Sequence, residues 1–400
     1  MLEGHDILLF APGPWDEIWR NRHHIFTRLA TRNRVVWVEP RDAWRPTVRR
    51  IRAGEWRRRH FWRVGLSHPW PNIWVYHTPQ FAPLTGRRPY ATITRMLREA
   101  PLRFTLGRLG LRRPLLWLFN PTLGDQIGCW DEQLVIYHVV DEYSAYTQDA
   151  EVRTELIAKE RELLTMADLV VVTSRSLLEA RQKPRTNVVW VPNGVAAAAF
   201  SQAQPDPALA SLKRPILGYV GAINPKIDLE LLLAVAEGHA DATLLFVGPL
   251  DTRVNLVTWA QLLARPNVHY AGVRAAAAVP SAVAACDVGL LPYTRTRWTE
   301  NINSLKLNEY LAAGLPVVGI DLEMLDDARE LVYVAGDTEE FVQQIHRART
   351  ESDPARVDAR QRHAASQDWG LRVEAISQYV EVALAARQSA AVRRSIEQAA

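Results

Sequence analysis

The sequence predicts an α/β protein built from two doubly wound domains. Short β-branched and aromatic runs alternate with amphipathic stretches along almost the whole chain. Those runs are apolar on both faces, as parallel strands covered by helices on each side must be. The alternation breaks once, near the middle, and then starts again.

In the first half the strand candidates are "HDILLF", "RVVWVEP", "NIWVYHT", "PLLWLFN", "LVIYHVV", "DLVVVTS" and "NVVWVPNG". Helical segments such as "HHIFTRLATR" and "RTELIAKERELLTMA" separate most of them. The small, polar, Pro-containing stretch Ala196–Pro215 reads as a linker. Beyond it come "PILGYVGAI", "ATLLFVGPL", "NVHYAGV", "DVGLLPY", "LPVVGI" and "LVYVAG", with helices such as "DLELLLAVAEG" between them and a long helical tail. The expected division is a first domain over 1–195, a linker over 196–214, a second domain over 215–375 and a tail over 376–400. In such sheets ligands bind beyond the carboxyl ends of the strands, so two facing domains predict an interdomain cleft.

Composition narrows the function classes. The apolar share of 48% and charged share of 23% are ordinary for a globular protein. The first residues, "MLEGHDILLFAPGPW", lack the pattern of a signal peptide, and no run reaches the length of a membrane span. Cys129 and Cys286 have no metal-ligand spacing and read as buried thiols of a reducing compartment rather than a disulfide, so the expected location is the cytoplasm. The segment Arg41–Arg63 holds nine arginines against Asp42 and Glu55, with Trp44, Trp56 and Trp62 among them. Such a segment suits an anionic membrane surface, a nucleic-acid backbone, or a solvated loop with inward tryptophans. No nucleic-acid recognition module accompanies it, so no nucleic-acid partner is expected.

The strand ends hold the chemistry. Gly13, Gly221, Gly248 and Gly272 follow strands, where glycine permits close backbone approach. None belongs to a dinucleotide fingerprint, and no Walker phosphate loop, metalloenzyme spacing or G-x-S-x-G elbow is present. In "NSLKLNEYLAAGLPVV", Leu305, Leu307, Tyr310 and Leu311 form an apolar helical stripe, Gly314 is placed for a left-handed cap, and Pro316 blocks continuation. Lys306 and Glu309, three apart, share a face, and the structural reading of the two is a surface ion pair.

"VPNGV", "ADLVVVTS", "VHYAGV" and above all "SLKLNEYLAAGLPVV" resemble the GT-B glycosyltransferases of the family 4 (group 1) type. The resemblance extends from about Asp6 to Trp369. "WDEIWRNRHHIFTRLA" and "VIYHVVDEYSAY" are most similar to its teichuronic-acid and capsule branch. It implies sugar transfer from a UDP-, GDP- or dTDP-linked donor to a polysaccharide or lipid-linked acceptor, with retention of configuration and no tightly held metal or cofactor.

On the donor side the resemblance places Glu309 on the ribose hydroxyls. The Ser304 and Leu305 amides would face the diphosphate with Lys306 and Lys226, while Gly221 and Val273 complete the donor-side strand ends. Where the family usually has a second glutamate this chain has Asn301, with Glu300 one residue away, and either meets the sugar. Ala222 stands where the family usually has an arginine. His138 and Asp141, expected in the loop after a strand, are the candidates for orienting the sugar or leaving oxygen. Gly13, Arg22, His23 and His24 are the acceptor-side candidates, and Arg41–Arg63 is the expected contact with the inner face of a membrane. The competing readings are a sugar-nucleotide epimerase on the same fold and a catalytically silent sugar-nucleotide binder in an envelope polymer pathway.

Overall fold

The computed structural model describes residues 1–40, 65–78, 90–147, 149–182 and 187–399. These fall into two compact units. The first comprises 1–172, 178–191 and 373–400, and the second 173–177 and 192–372.

The first unit is an eight-stranded sheet: β1 (Asp6–Phe10), β2 (Arg34–Val38), β3 (Gly65–Trp70), β4 (Ile73–His77), β5 (Leu115–Leu118), β6 (Leu134–Val139), β7 (Leu169–Val172) and β8 (Val188–Trp190), in the order β3-β4-β2-β1-β5-β6-β7-β8. All neighbours are parallel except β3 and β4. Its helices are α1 (Asn21–Leu29), α2 (Tyr90–Leu109), α3 (Ala150–Met166) and α4 (Arg175–Arg181), the last starting in the second unit's segment. Strands β5, β6 and β7 are buried along their whole length, and Trp37, Trp117, Phe26 and Phe119 fill the space beside α1. Phe26 meets Trp117 edge-on with ring centroids 5.0 Å apart.

The strand β3, "GLSHPW", carries no apolar run and includes Pro69, which an edge strand tolerates. It is tied down by side chains. Ser67 Oγ lies 3.0 Å from His77 Nε2, His77 Nδ1 lies 2.7 Å from Glu39 Oε2, and the other Glu39 oxygen accepts from the Trp15 N–H at 3.0 Å. The edge strand is thereby linked to the loop after β1.

The second unit is a six-stranded parallel sheet of β9 (Ile216–Val220), β10 (Thr243–Val247), β11 (Val268–Tyr270), β12 (Val288–Leu291), β13 (Val317–Ile320) and β14 (Tyr333–Ala335). Their order, β11-β10-β9-β12-β13-β14, is the 3-2-1-4-5-6 arrangement of doubly wound sheets. The chain reverses direction of growth between β9 and β12, which pair through Gly218 and Gly289. Around the sheet lie α5 (Ala197–Ser201), α6 (Leu229–Gly238), α7 (Leu256–Leu263), α8 (Val279–Ala284), α9 (Leu305–Ala312), α10 (Thr338–Arg349) and α11 (Pro354–Ser366).

The observed division departs from the expected one at two places. The stretch read as a linker contains α5, whose Phe200 is buried in the second unit's core, so it is packed structure rather than spacer. The final helix, α12 (Trp369–Ala399), begins in the second unit and from Val373 belongs to the first, where Arg387 ion-pairs with Asp168. Neither Cys129 nor Cys286 forms a disulfide; Cys286 is buried, as expected, while Cys129 is only partly so. No helix among the described residues is long and apolar enough to cross a membrane.

A buried arginine fastens α11 to the second sheet. Arg360 is fully buried, grips Glu351 through two hydrogen bonds of 2.5 and 2.6 Å, and also donates to the Leu331 and Gly314 carbonyls. Removing one partner of such a pair strands the other charge, which costs about 3 to 5 kcal/mol. Arg356 and Tyr333 still bind Glu351, which places Arg360→Ala at the lower end, about 3 kcal/mol less stable. Urea unfolding followed by tryptophan fluorescence checks this, and a midpoint equal to wild type contradicts it.

Candidate functional site

In the second unit Gly221, Ser304, Lys306 and Glu309 come together at the switch point between β9 and β12, while Val273 lies beyond the edge strand β11. The helix α9 ends as expected. Gly314 adopts φ +77°, its N–H donates to the Leu311 carbonyl at 2.9 Å, and the Leu315 N–H reaches back to the Tyr310 carbonyl at 3.0 Å. Tyr310 also ties the helix to the sheet, its hydroxyl accepting from the Val220 N–H at the end of β9 at 2.9 Å.

The N-terminal end of α9 is left open. Ser304 occupies the N-cap position but its side chain makes no capping hydrogen bond, sharing one of 2.9 Å with the Tyr293 hydroxyl instead. The first-turn N–H groups, with Leu305 leading, thus keep the positive end of the helix available. Asn303, just before it, is held by Asn193 of the "VPNG" motif. The Asn193 N–H donates to Asn303 Oδ1 at 2.9 Å, and its side-chain amide donates to the Asn303 carbonyl at 2.6 Å. Sequence reasoning noted that motif but missed this clamp, because the partner is 110 residues away.

Lys306 corrects the surface ion-pair reading. No direct Lys306–Glu309 ion pair forms among the described residues. The Lys306 ammonium lies 5.2 Å from the Tyr219 ring centroid, and its last carbons pack against Gly221. A Cβ at Gly221, which sits at φ +151°, would overlap the Lys306 side chain. The space that the glycine leaves, expected to admit a ligand, is therefore filled by lysine. Burial disfavours the charged ammonium, but the phenol oxygens of Tyr219 and Tyr293 and the Glu309 carboxylate outweigh it and hold the pKa above its ordinary value. Neither tyrosine was singled out from the sequence.

Glu309 is partly buried and receives no hydrogen bond among the described residues. Burial pushes its carboxyl up to about 7, against the pull of Lys306. A carboxylate so placed, without a donor, is a candidate ligand-binding group. Lys226 Nζ lies 4.4 Å from the centroid of the Trp298 ring. Asn301 ends a 3₁₀ turn (Thr299–Asn301) and donates its amide to the Arg297 carbonyl at 2.7 Å, while Glu300 is exposed. Val273, after β11, is 59% exposed beside Gly272 at φ +71°.

In the first unit the acceptor-side candidates gather at the loop after β1. Arg22 is buried and ion-pairs with Glu17, and both pack where a Gly13 side chain would stand. Burial lowers the Arg22 pKa to about 10. His23 is structural in its contacts: its Nδ1 accepts from the Arg20 N–H at 3.1 Å and its Nε2 donates to the Trp15 carbonyl at 3.2 Å, between the rings of Trp19 and Trp37. Burial and Arg22 lower its pKa to about 4; burial and Arg28 lower that of His24 to about 3.

His138 is not in a loop. It is the fifth residue of β6, 1% exposed, because the strand continues through Val139 paired with Val172. Its ring stacks on Phe119 at 4.8 Å, its Nδ1 has no hydrogen-bond partner, and burial lowers its pKa to about 3. Asp141 does lie in the following loop and accepts from the Tyr146 hydroxyl at 2.6 Å. The Arg41–Arg63 segment lies outside the described residues. Among the described residues no three His, Cys, Asp or Glu side chains are grouped to hold a metal ion.

Comparison with known proteins agrees with the fold. Residues 214–351, most of the second unit, match the family described as Glycosyl transferases group 1. The chain is 30% identical over 290 residues to the Bacillus subtilis (strain 168) protein TuaH, assigned as a teichuronic acid biosynthesis glycosyltransferase, covering 68% of this chain and 72% of that one. Among solved structures, sucrose-phosphate synthase from Thermosynechococcus elongatus aligns with a TM-score of 0.70 at 17% identity, over 96% of this chain and 100% of that one. An alpha,alpha-trehalose-phosphate synthase (UDP-forming) from Burkholderia xenovorans in complex with glucose-6-phosphate gives 0.66 at 12%, over 96% and 100%. Anabaena HepE in complex with UDP gives 0.65 at 14%, over 95% and 100%. On sequence and fold together, the chain belongs to the group 1 glycosyl transferases and is a glycosyltransferase of the GT-B fold.

Proposed function

We propose that the protein transfers a sugar from a nucleoside-diphosphate donor to a polysaccharide or lipid-linked glycan acceptor, with retention of configuration. The observation that carries this reading is the partly buried Glu309 carboxylate, without a hydrogen-bond donor, beside the cation of Lys306 at the open end of α9. A ribose diol donates two hydrogen bonds and a carboxylate accepts both. The Ser304 and Leu305 amides and Lys306 then face the diphosphate, with Lys226 as a second cation. The charge that grows on the leaving diphosphate as the glycosidic bond breaks is stabilised by those groups, already in place before reaction. A solved structural neighbour in complex with UDP supports a nucleotide-linked donor, and the polymer assignment of TuaH supports the acceptor class. Asn301 supplies neutral hydrogen bonds to the donor sugar. Calorimetric titration with UDP and GDP, followed by nucleotide release from a panel of nucleotide sugars, tests the reading. Absence of both binding and release overturns it.

Glu309 makes donor recognition depend on pH. Its proton stays on until near pH 7, and the diol prefers the ionised form, so affinity rises as pH climbs through that value. The nucleoside of the preferred donor should bind about tenfold more weakly at pH 6 than at pH 8. Nucleoside is the right probe because its own phosphate titration is absent. Glu309→Gln should flatten the profile, and Glu309→Ala should lose about 1.5 to 3 kcal/mol of binding. A wild-type profile already flat would remove Glu309 from the diol.

Lys306→Ala should weaken nucleoside diphosphate more than nucleoside, and Gly221→Ala should do the same by displacing Lys306. Equal losses for both ligands would leave Lys306 a structural cation. Asn193→Ala frees the segment before α9, so it should raise the KM for donor, with melting temperature near that of wild type. An unchanged KM would make the clamp irrelevant to the donor.

A further inference from the structure

The first unit exposes an apolar and basic helix face that the donor chemistry does not use. The helix α2 buries Leu102 and Leu106 against the core, yet Met96, Leu97 and Phe104 on its outer side are 63%, 51% and 68% exposed. Leu97, Phe104 and Arg108 fall on one stripe at helical spacing, with Ala100 between them. Residues 95–113 contain six arginines and a single acid, Glu99. That acid is only 12% exposed and lies 3.4 Å from Arg103. Arg103 and Arg108 fold along the apolar surface, their guanidinium groups 5.0 and 5.9 Å from the rings of Trp130 and Phe104, and the exposed Arg112 and Arg113 follow in the next loop.

We propose that this face of α2 docks on an anionic lipid bilayer, with Met96, Leu97 and Phe104 entering the interface and the arginines meeting lipid phosphates. An interfacial helix needs large apolar side chains on one side, long cations that can lie along them, and no unpaired acid on the face. All three are present. The charge is of one sign, which a bilayer of anionic headgroups complements wherever the helix lands, without a fitted pocket. The inference rests on the reading of the acceptor as lipid-linked: a chain that meets such an acceptor gains by being held at the surface where it lies.

Co-sedimentation of the full chain with phosphatidylcholine vesicles, with and without phosphatidylglycerol, tests the proposal. Wild type should bind the anionic vesicles and release them as salt rises, because charges more than about 8 Å from the surface are screened at physiological ionic strength. The double variant Leu97→Ser, Phe104→Ser should bind them at least about tenfold more weakly. The triple variant Arg108→Gln, Arg112→Gln, Arg113→Gln should show a shallower salt dependence. Titration with UDP and GDP in the same preparations keeps the two readings apart, since all these variants should bind nucleotide as wild type does. Equal vesicle binding by wild type and the double variant overturns the docking face. So does binding to neither vesicle, or a wild-type dimer in sedimentation velocity that the double variant abolishes, which would make the face a protein interface.

Discussion

A missing Cβ governs the switch point of the second sheet. The last residue before the β9 turn must leave room for the Lys306 side chain, and only Gly221 does so. The neighbouring strand end is equally tight: a Cβ on Gly248, at φ +139°, would overlap the Gly221 backbone. Two glycines at consecutive parallel strand ends thus let a cation lie where the sheet changes direction. The lysine is kept charged there by two tyrosine hydroxyls and a carboxylate rather than by a direct ion pair. A close Lys–Glu pair would have satisfied both groups and left little for a ligand. Holding them apart, each half-satisfied, preserves charge for binding at some expense in stability.

The first unit treats its charges in the opposite way. Arg22 is paired with Glu17, Arg181 with Glu142 and Glu160, and His77 with Glu39. Burial lowers the pKa of His23, His24 and His138 far below neutrality, so all three imidazoles are neutral at physiological pH. A histidine with a pKa of about 3 is a feeble base and no store of protons. The Nδ1 of His138 is buried without a hydrogen-bond partner and its ring is stacked on Phe119, so its described contacts are those of a packed core residue.

Much of the fold was legible because parallel strands buried on both faces leave continuous apolar runs. Among the described residues, thirteen of the fourteen strands correspond to such runs in the sequence. The missed one, β3, lies at the sheet edge with most of its residues exposed, and its stability comes from β4 pairing and the Ser67–His77–Glu39 chain. The linker reading failed on composition: a run of alanines with few large apolar residues looks like spacer, yet Phe200 and Leu209 anchor it in the core. Within the site, Lys306, Glu309 and Gly314 were legible as a local pattern on one helix. Tyr219, Tyr293 and Asn193 were not, since what they do depends on contacts that sequence distance hides.

The rotation of α9 explains why two residues three apart end in such different surroundings. Side chains on a helix lean toward its N-terminus, so Lys306 and Glu309 both point to the open end. Lysine has the longer reach and starts one turn nearer, which carries its ammonium past the helix end to Gly221 and the phenol of Tyr219. Glutamate stops short, level with the first turn, where burial rather than an ion pair sets its titration. Tyr310, on the adjoining face, cannot drift because its hydroxyl is bonded to the Val220 N–H and its ring covers Gly289. The helix is therefore fixed at its buried side by β9 and β12, at its C-terminal end by the Gly314 cap and before its first turn by Asn193. With three points held, the spacing between carboxylate and cation is a property of the scaffold and does not have to be assembled when a ligand arrives.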